Sequence, residues 1–301
     1  MDRSEAIIIL PFISPYNWLS ILDFLSLRAI PHVESVIENR YMRVVSVGSR
    51  IGMIGIGPLE GKNCLELTIR GLSTMDHNLV TTRVRRIFDL DANPAEISQC
   101  LGRDQLLSPL LKMHPGLRVP GAWDGFELTV RAIVGQQVSV RGATTMIGRL
   151  VEEFGTPLPS RQINGLGYLF PAAEDLASVD ASCFKFPKSR AHAIINLAKA
   201  YCNGDVSYDL AQNLDEFRNS LTRIPGIGDW TAQYVAMRYL RQTDAFPVSD
   251  LGILAGASAT EEKMKPAELL RRAEKWRPWR AYAAMYIWKR YASLRQGDTG
   301  R

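Results

Sequence analysis

Leu221-Thr222-Arg223-Ile224-Pro225-Gly226-Ile227-Gly228-Asp229-Trp230-Thr231-Ala232 reads as two helices and the turn that joins them. Leu214, Phe217 and Leu221 recur at helical spacing and give the first helix an apolar face. Pro225 and Gly226 stop it, because proline restricts the residue before it and glycine tolerates left-handed backbone. Gly228 is expected to allow a second bend, and Asp229 to cap a new helix from Trp230 to about Leu240. Glycines at a helix N-terminus leave backbone N–H groups uncovered, which makes a place for an anion such as phosphate. An ordinary αα-turn is the competing reading. Two glycines around a β-branched residue favour the anion site.

Downstream, Asp250 stands in the loop Ala245-Phe246-Pro247-Val248-Ser249 before the apolar Leu251-Gly252-Ile253-Leu254. Taken alone, Ser249 or Asp250 would simply cap a short helix. After a phosphate cradle and a helix, however, a carboxylate is set beside a sugar-phosphate chain. There it can stabilise positive charge on a deoxyribose or deprotonate an attacking water. Trp230 and Tyr234 are four apart and share a helix face. Trp288 projects from the last helix and Phe24 from the first. Such aromatics are usually core, but a base taken out of a duplex needs stacking partners, and a cationic base gains from an electron-rich ring.

Composition sets the outer limits. The chain has 301 residues, 46% of them hydrophobic, enough for two domains with a sizeable core. A net charge of +5 mildly favours an anionic partner. Cys64, Cys100, Cys183 and Cys202 are scattered without a C-x-x-C, which argues against zinc or iron–sulfur ligation and fits a reducing compartment. The apolar run at Ala6–Ile9 is too short and too interrupted for a secretory signal or a membrane span. An intracellular protein without membrane contact is expected. Gly55–Asn63 looks glycine-rich but matches neither phosphate-loop pattern, so a hairpin turn explains it better.

The pattern predicts a strand over 5–10, a helix opened by Pro15 and running to about Ala29, strands near 41–47, 51–57 and 64–70, and a helix over 76–90. Leu79, Arg83, Arg86 and Leu90 are spaced helically in the last of these. Pro94 marks a break, after which no strand is expected and the chain reads as helical. The predicted helices include 95–101, 103–113, 123–135, 139–154, 188–203, 213–222, 230–241, 266–276 and 278–294, the last starting at Pro278. The fold class is therefore α+β. A small antiparallel sheet with helices occupies 1–94, and a mostly helical region occupies 95–301. Within the latter, 121–241 forms a central domain around the turn, and 95–120 with 242–301 a second lobe.

The Ile224-Pro225-Gly226-Ile227-Gly228 turn with Asp250 downstream resembles the helix-hairpin-helix, Gly/Pro-Asp superfamily of DNA glycosylases. Further stretches make the resemblance closest to 3-methyladenine DNA glycosylase II of the AlkA type. They are Ser14–Trp18, Val44–Gly48, Arg86–Leu90, Arg131–Val140 and Trp276–Tyr282, and they span nearly the whole chain in the same order. The resemblance implies a TATA-binding-protein-like N-terminal unit and a base excision repair enzyme. That enzyme would flip and hydrolytically remove alkylated bases, of the 3-methyladenine and 7-methylguanine type, from double-stranded DNA. It implies that Asp250 is the catalytic carboxylate and that Trp230, Tyr234, Trp288 and Phe24 line the base pocket. The amides of Gly226, Gly228 and Thr231 would hold phosphate, with Gln136 and Gln137 also at the DNA. No cofactor would be required, although the carbonyls of Thr222, Ile224 and Ile227 match a structural Na+ or K+ site. A monomer is expected.

Two departures stand out. Gln137 replaces the usual wedge leucine, and Leu251 an often aromatic residue, which is expected to reshape the pocket. The strand-cutting members carry a lysine two residues after the second hairpin glycine, where this chain has Trp230. That implies a monofunctional enzyme leaving an abasic site. Two rival readings stay open: a glycosylase for deaminated or oxidised bases, and a non-catalytic module that binds damaged DNA.

Overall fold

The computed structural model describes residues 5–158, 164–258 and 263–298. Its N-terminal part runs β1 (Glu5–Pro11), α1 (Trp18–Ser26), β2 (Glu34–Ile37), β3 (Arg40–Val47), β4 (Arg50–Pro58), β5 (Cys64–Arg70) and α2 (His77–Ile87). The strands form one antiparallel sheet in the order β1-β5-β4-β3-β2. Alternate strand residues such as Leu10, Tyr41, Ile54 and Leu67 face the helices, where they meet Trp18, Leu22, Val80 and Val84.

This is the expected antiparallel sheet, with one more strand. Sequence patterning misses β2 because Glu34, its first residue, is a buried carboxylate that interrupts the apolar signal. The turn after it, Glu38-Asn39, has φ of 49° and 63°, the mirror-image hairpin turn made without glycine. Helix α1 starts at Trp18 rather than Pro15, because the Asn17 side chain accepts the Ser20 amide at 3.0 Å and caps it there. The buried stripe of α2 is Val80, Val84 and Ile87, one position on from the predicted one, and Leu79 is exposed.

The helical region contains α3 (Pro94–Leu101), α4 (Leu107–Met113), α5 (Gly125–Val134), α6 (Val140–Phe154), α7 (Ala173–Ala177) and α8 (Lys188–Cys202). It continues with α9 (Leu214–Thr222), α10 (Asp229–Val235), α11 (Leu251–Ala257), α12 (Pro266–Ala273) and α13 (Arg280–Asp298). Helix α3 begins on Pro94 itself, one residue before the expected 95–101, since a missing N–H costs nothing in a first turn. A short ladder, β6 (Thr156–Pro157) with β7 (Tyr168–Leu169), adds strand pairing where none was expected. Helix α10 ends early: a π-helical turn covers Ala236–Leu240, and Arg241 closes it in left-handed backbone at φ 61°. Helix α13 begins at Arg280, past Pro278. Leu128, Ile194, Phe217, Val235, Trp276 and Ile287 lie in its core. Ile30 and Val33 from the N-terminal part enter that core too, while Trp123 packs in the sheet's core.

Buried ion pairs tie the two parts together. Arg43 on β3 donates to Glu127 on α5 at 2.8 Å and to Glu34 on β2 at 3.4 Å. Arg131 on α5 bridges the same two carboxylates, each at 3.1 Å. The Tyr41 hydroxyl donates to Glu34 at 2.5 Å and the Ile30 amide at 2.8 Å. Burial by itself would raise the Glu34 carboxyl. Arg131, Arg43 and the two hydrogen bonds more than offset it, and hold the group below its ordinary value. A depressed carboxyl adds stability above its unfolded value, and the contribution disappears as pH falls through the folded one.

Glu34→Gln leaves two buried guanidinium groups short of a counter-charge, and should cost about 3–5 kcal/mol in urea unfolding at neutral pH. The deficit against wild type should shrink as pH falls below about 4.3, the ordinary carboxylate value. A pH-independent difference would mean that the glutamate acts by shape alone.

Candidate active site

A cleft of about 710 Å³ opens between α1, the α5–α6 turn, α10, the start of α11 and α13. Phe24, Trp230, Tyr234, Asp250 and Trp288 all line it. The structure thus brings together, from four separate elements, the carboxylate and the four aromatics singled out in the sequence.

Asp250 is held by three donors. Its Oδ1 accepts the Ile253 amide at 2.9 Å and the Trp288 indole N–H at 2.8 Å, and its Oδ2 accepts the Trp230 indole N–H at 2.9 Å. One oxygen caps α11, as the helix-cap reading expects, and the same carboxylate lines the cleft. Trp230 stacks on Tyr234 with ring centres 5.2 Å apart and planes 10° apart. Tyr234 meets Trp288 edge-on at 6.3 Å. The sequence predicts stacking surfaces at the two tryptophans; their polar edges fix the carboxylate as well.

Arg28, Arg131 and Arg238 also line the wall, and the sequence motifs point to none of them as a pocket residue. Arg238 is buried, and donates to the Tyr234 hydroxyl at 2.7 Å and to the Pro120 and Gly121 carbonyls at 2.7 and 2.8 Å. The Arg28 guanidinium lies 3.8 Å from the centre of the Phe24 ring, and that of Arg238 4.9 Å from it. Arg131 lines the cleft from its ion-pair network. Burial would raise the Tyr234 phenol, but the charges of Arg238, Arg28 and Arg131 and the Arg238 hydrogen bond bring it below its ordinary value. The signal for Arg28 and Arg238 was visible: each follows an aromatic by four residues, the spacing that superposes side chains on one face of helical backbone. Lys289 lines the cleft too, one residue past Trp288.

The hairpin sits beside the α5–α6 turn. Gly226 has φ 92°, and a Cβ there would lie 2.6 Å from the Ala193 side chain on α8, so glycine is required twice over. Gly228 differs from expectation. Its φ of −100° suits any residue, and it occupies the cap position of α10, with Asp229 in the first turn paired to Arg218 at 2.5 Å. A Cβ on Gly228 would meet nothing within 4 Å, so what glycine leaves there is uncovered backbone. Ile224 and Ile227 are buried while Gly226 and Gly228 are exposed, which turns the backbone of the tip outward. The Ile224 carbonyl accepts the Ile227 amide at 3.1 Å.

Gln136 turns its side chain to the hairpin, donating to the Gly226 carbonyl at 3.2 Å and the Thr231 hydroxyl at 3.3 Å. Thr231 is itself buried. Gln137 is exposed at φ 57° on the tip of the turn, outside the cleft wall. Leu251 is 62% exposed and also outside the wall.

Residues 7–124 match the family model of the AlkA N-terminal domain, and residues 130–279 that of the HhH-GPD superfamily base excision DNA repair proteins. The DNA-3-methyladenine glycosylase 2 of Escherichia coli is 35% identical over 91% of this chain and 94% of its own. The chain belongs to the HhH-GPD superfamily, in its AlkA branch. A Mycobacterium tuberculosis relative, named a probable bifunctional transcriptional activator/DNA repair enzyme AlkA, is 34% identical over 93% of this chain. This HhH-GPD chain spans 56% of that relative's length. A 3-methyladenine DNA-glycosylase structure from Archaeoglobus fulgidus superposes with a TM-score of 0.81, covering 94% of this chain and 97% of its own; at 22% identity it speaks for the fold alone.

The two hairpin glycines should separate in stability measurements. Gly226→Ala should lose about 1–3 kcal/mol from strain and the clash with Ala193. Gly228→Ala should lose less, about 0.5–1 kcal/mol, since alanine caps a helix more poorly than glycine but meets no neighbour there. Equal losses in thermal unfolding would contradict the assignment.

Proposed function

We propose that the chain is a monofunctional DNA glycosylase that flips alkylated bases out of duplex DNA and hydrolyses their glycosidic bond. The observation that carries this reading is Asp250, a carboxylate fixed by two indole N–H groups and a backbone amide in the wall of an aromatic cleft. A fixed anion of this kind supports the positive charge that develops on the sugar as the base leaves, and directs water to C1′. Ring alkylation makes the base cationic, so its bond is already weak and no strong general acid is needed. The flipped base would stack in the cleft among Trp230, Tyr234 and Trp288. The exposed backbone at Gly226 and Gly228, and the first amides of α10 up to Thr231, would hold a phosphate of the strand. A sodium or potassium ion on the carbonyls of Thr222, Ile224 and Ile227 would add positive charge there. Gln137 would enter the space the base leaves. Gln136 would serve by holding the turn against the hairpin.

Position 230 supports hydrolysis without strand cleavage. No amine stands there; the indole N–H is committed to Asp250. Lys289 is next to Trp288 on α13, so its side chain departs about 100° around the helix from the one that reaches the carboxylate. Wild type should release 7-methylguanine from duplex DNA, and Asp250→Asn should lose the activity by a factor on the order of a hundred or more, the scale of a lost electrostatic stabiliser. Binding without release would favour the module reading. Borohydride should trap no protein–DNA adduct; an adduct that vanishes in Lys289→Ala would overturn the monofunctional assignment. Gln137→Ala should weaken binding to a duplex with an abasic-site analogue, and unchanged affinity would exclude its wedge role.

A further inference from the structure

The charges in the cleft are unevenly compensated. Arg131 has two carboxylate partners, Glu34 and Glu127. Arg28 and Arg238 have no ion-pair partner among the described residues, although Asp23 also lines the cleft. Arg238 has its guanidinium donors engaged by two carbonyls and the Tyr234 hydroxyl, which makes it an anchor. Arg28 is placed differently. Its backbone carbonyl is clamped by Arg131 Nη2 at 2.5 Å, and its Nη1 donates to the Phe24 carbonyl at 3.2 Å. Its Nε and Nη2 have no protein acceptor among the described residues, and its guanidinium stacks over Phe24 on the cleft wall.

Two chemical consequences follow. The Phe24 ring already has two guanidinium groups within 5 Å, so a cationic base stacked there would meet like charge. The second concerns the bond that breaks. When C1′–N cleaves, the electron pair leaves with the base nitrogen, and water then adds to C1′ and gives up a proton. A ring-alkylated cationic base departs neutral and needs no help with that pair. An uncharged base departs as an anion and takes up a proton afterwards. A fixed guanidinium with open donors stabilises that developing negative charge, and an oxo group on the base is an acceptor for it.

Resting on the glycosylase reading above, we propose that Arg28 is a specificity-determining residue that lets the same cleft release uncharged deaminated purines. It acts by stabilising the electron pair such a base carries away. Asp250 and Arg28 then divide the work: the carboxylate supports the sugar, and the guanidinium supports the leaving base. For cationic bases only the first is used.

The test compares duplexes of one sequence carrying a single hypoxanthine or a single 7-methylguanine. Single-turnover release is measured for wild type, Arg28→Gln and Arg28→Lys, with circular dichroism to verify folding. The ratio of hypoxanthine to 7-methylguanine rates should fall by about tenfold or more in Arg28→Gln, the scale of a lost charge-assisted hydrogen bond. Arg28→Lys, which keeps the charge, should recover much of it. A ratio unchanged in Arg28→Gln, with both rates lowered together, would show a purely structural role and overturn the proposal. Wild type that releases 7-methylguanine but no hypoxanthine overturns it too, and leaves the alkyl-base reading standing. Wild type that releases neither base overturns the glycosylase reading itself. If Arg28→Gln does not fold, Arg28→Lys decides: a ratio near that of wild type supports the role of the charge, and a fall of about tenfold or more overturns it.

Discussion

Four buried charges, Glu34, Arg43, Glu127 and Arg131, hold the sheet against the helical region, and the cleft depends on them. Taking such groups out of water is costly, and only close, mutually hydrogen-bonded geometry offsets it. That geometry exists only when β2, β3 and α5 are all in place. The same Arg131 holds the Arg28 carbonyl and lines the cleft. The N-terminal unit is therefore part of the site, because α1 and the turn after it carry the Phe24 and Arg28 wall.

Asp250 illustrates how one residue can satisfy two requirements. A carboxylate that caps a helix is ordinary and stable, and needs no functional excuse. Here the cap fixes one oxygen and leaves both accessible to the indole edges of α10 and α13, which come from distant points in the chain. The stack of Trp230 on Tyr234 sets the plane of one indole, and Arg238 secures the tyrosine from behind. Gln136 links the α5–α6 turn to the hairpin, so the tip that carries Gln137 is joined to the glycine tip.

Charge has a double use in this chain. The net charge of +5 suggests an affinity for nucleic acid, yet Arg43, Arg118, Arg238 and Arg280 are buried and answer to carboxylates or carbonyls inside the fold. Their positive charge is structural, or belongs to the cleft. Salt sensitivity in DNA binding would come from the exposed remainder.

The sequence by itself determined the α+β class, the positions of four of the sheet's five strands, most helices, the hairpin and the set Asp250, Trp230, Tyr234, Trp288 and Phe24. These are carried by local signals: alternation, helical spacing, Pro-Gly punctuation and a motif. Strand β2 was hidden because Glu34 breaks the alternation, and the start of α1 because Asn17, not Pro15, supplies the cap. Only the tertiary structure decided which atoms meet. That Trp230 and Trp288 point N–H groups at Asp250, that Gln136 faces the hairpin while Gln137 faces outward, and that Phe24 lies under guanidinium groups all depend on side-chain direction across elements far apart in sequence. Spacing along one helix determines a face, but contact between helices is set by how the whole core packs.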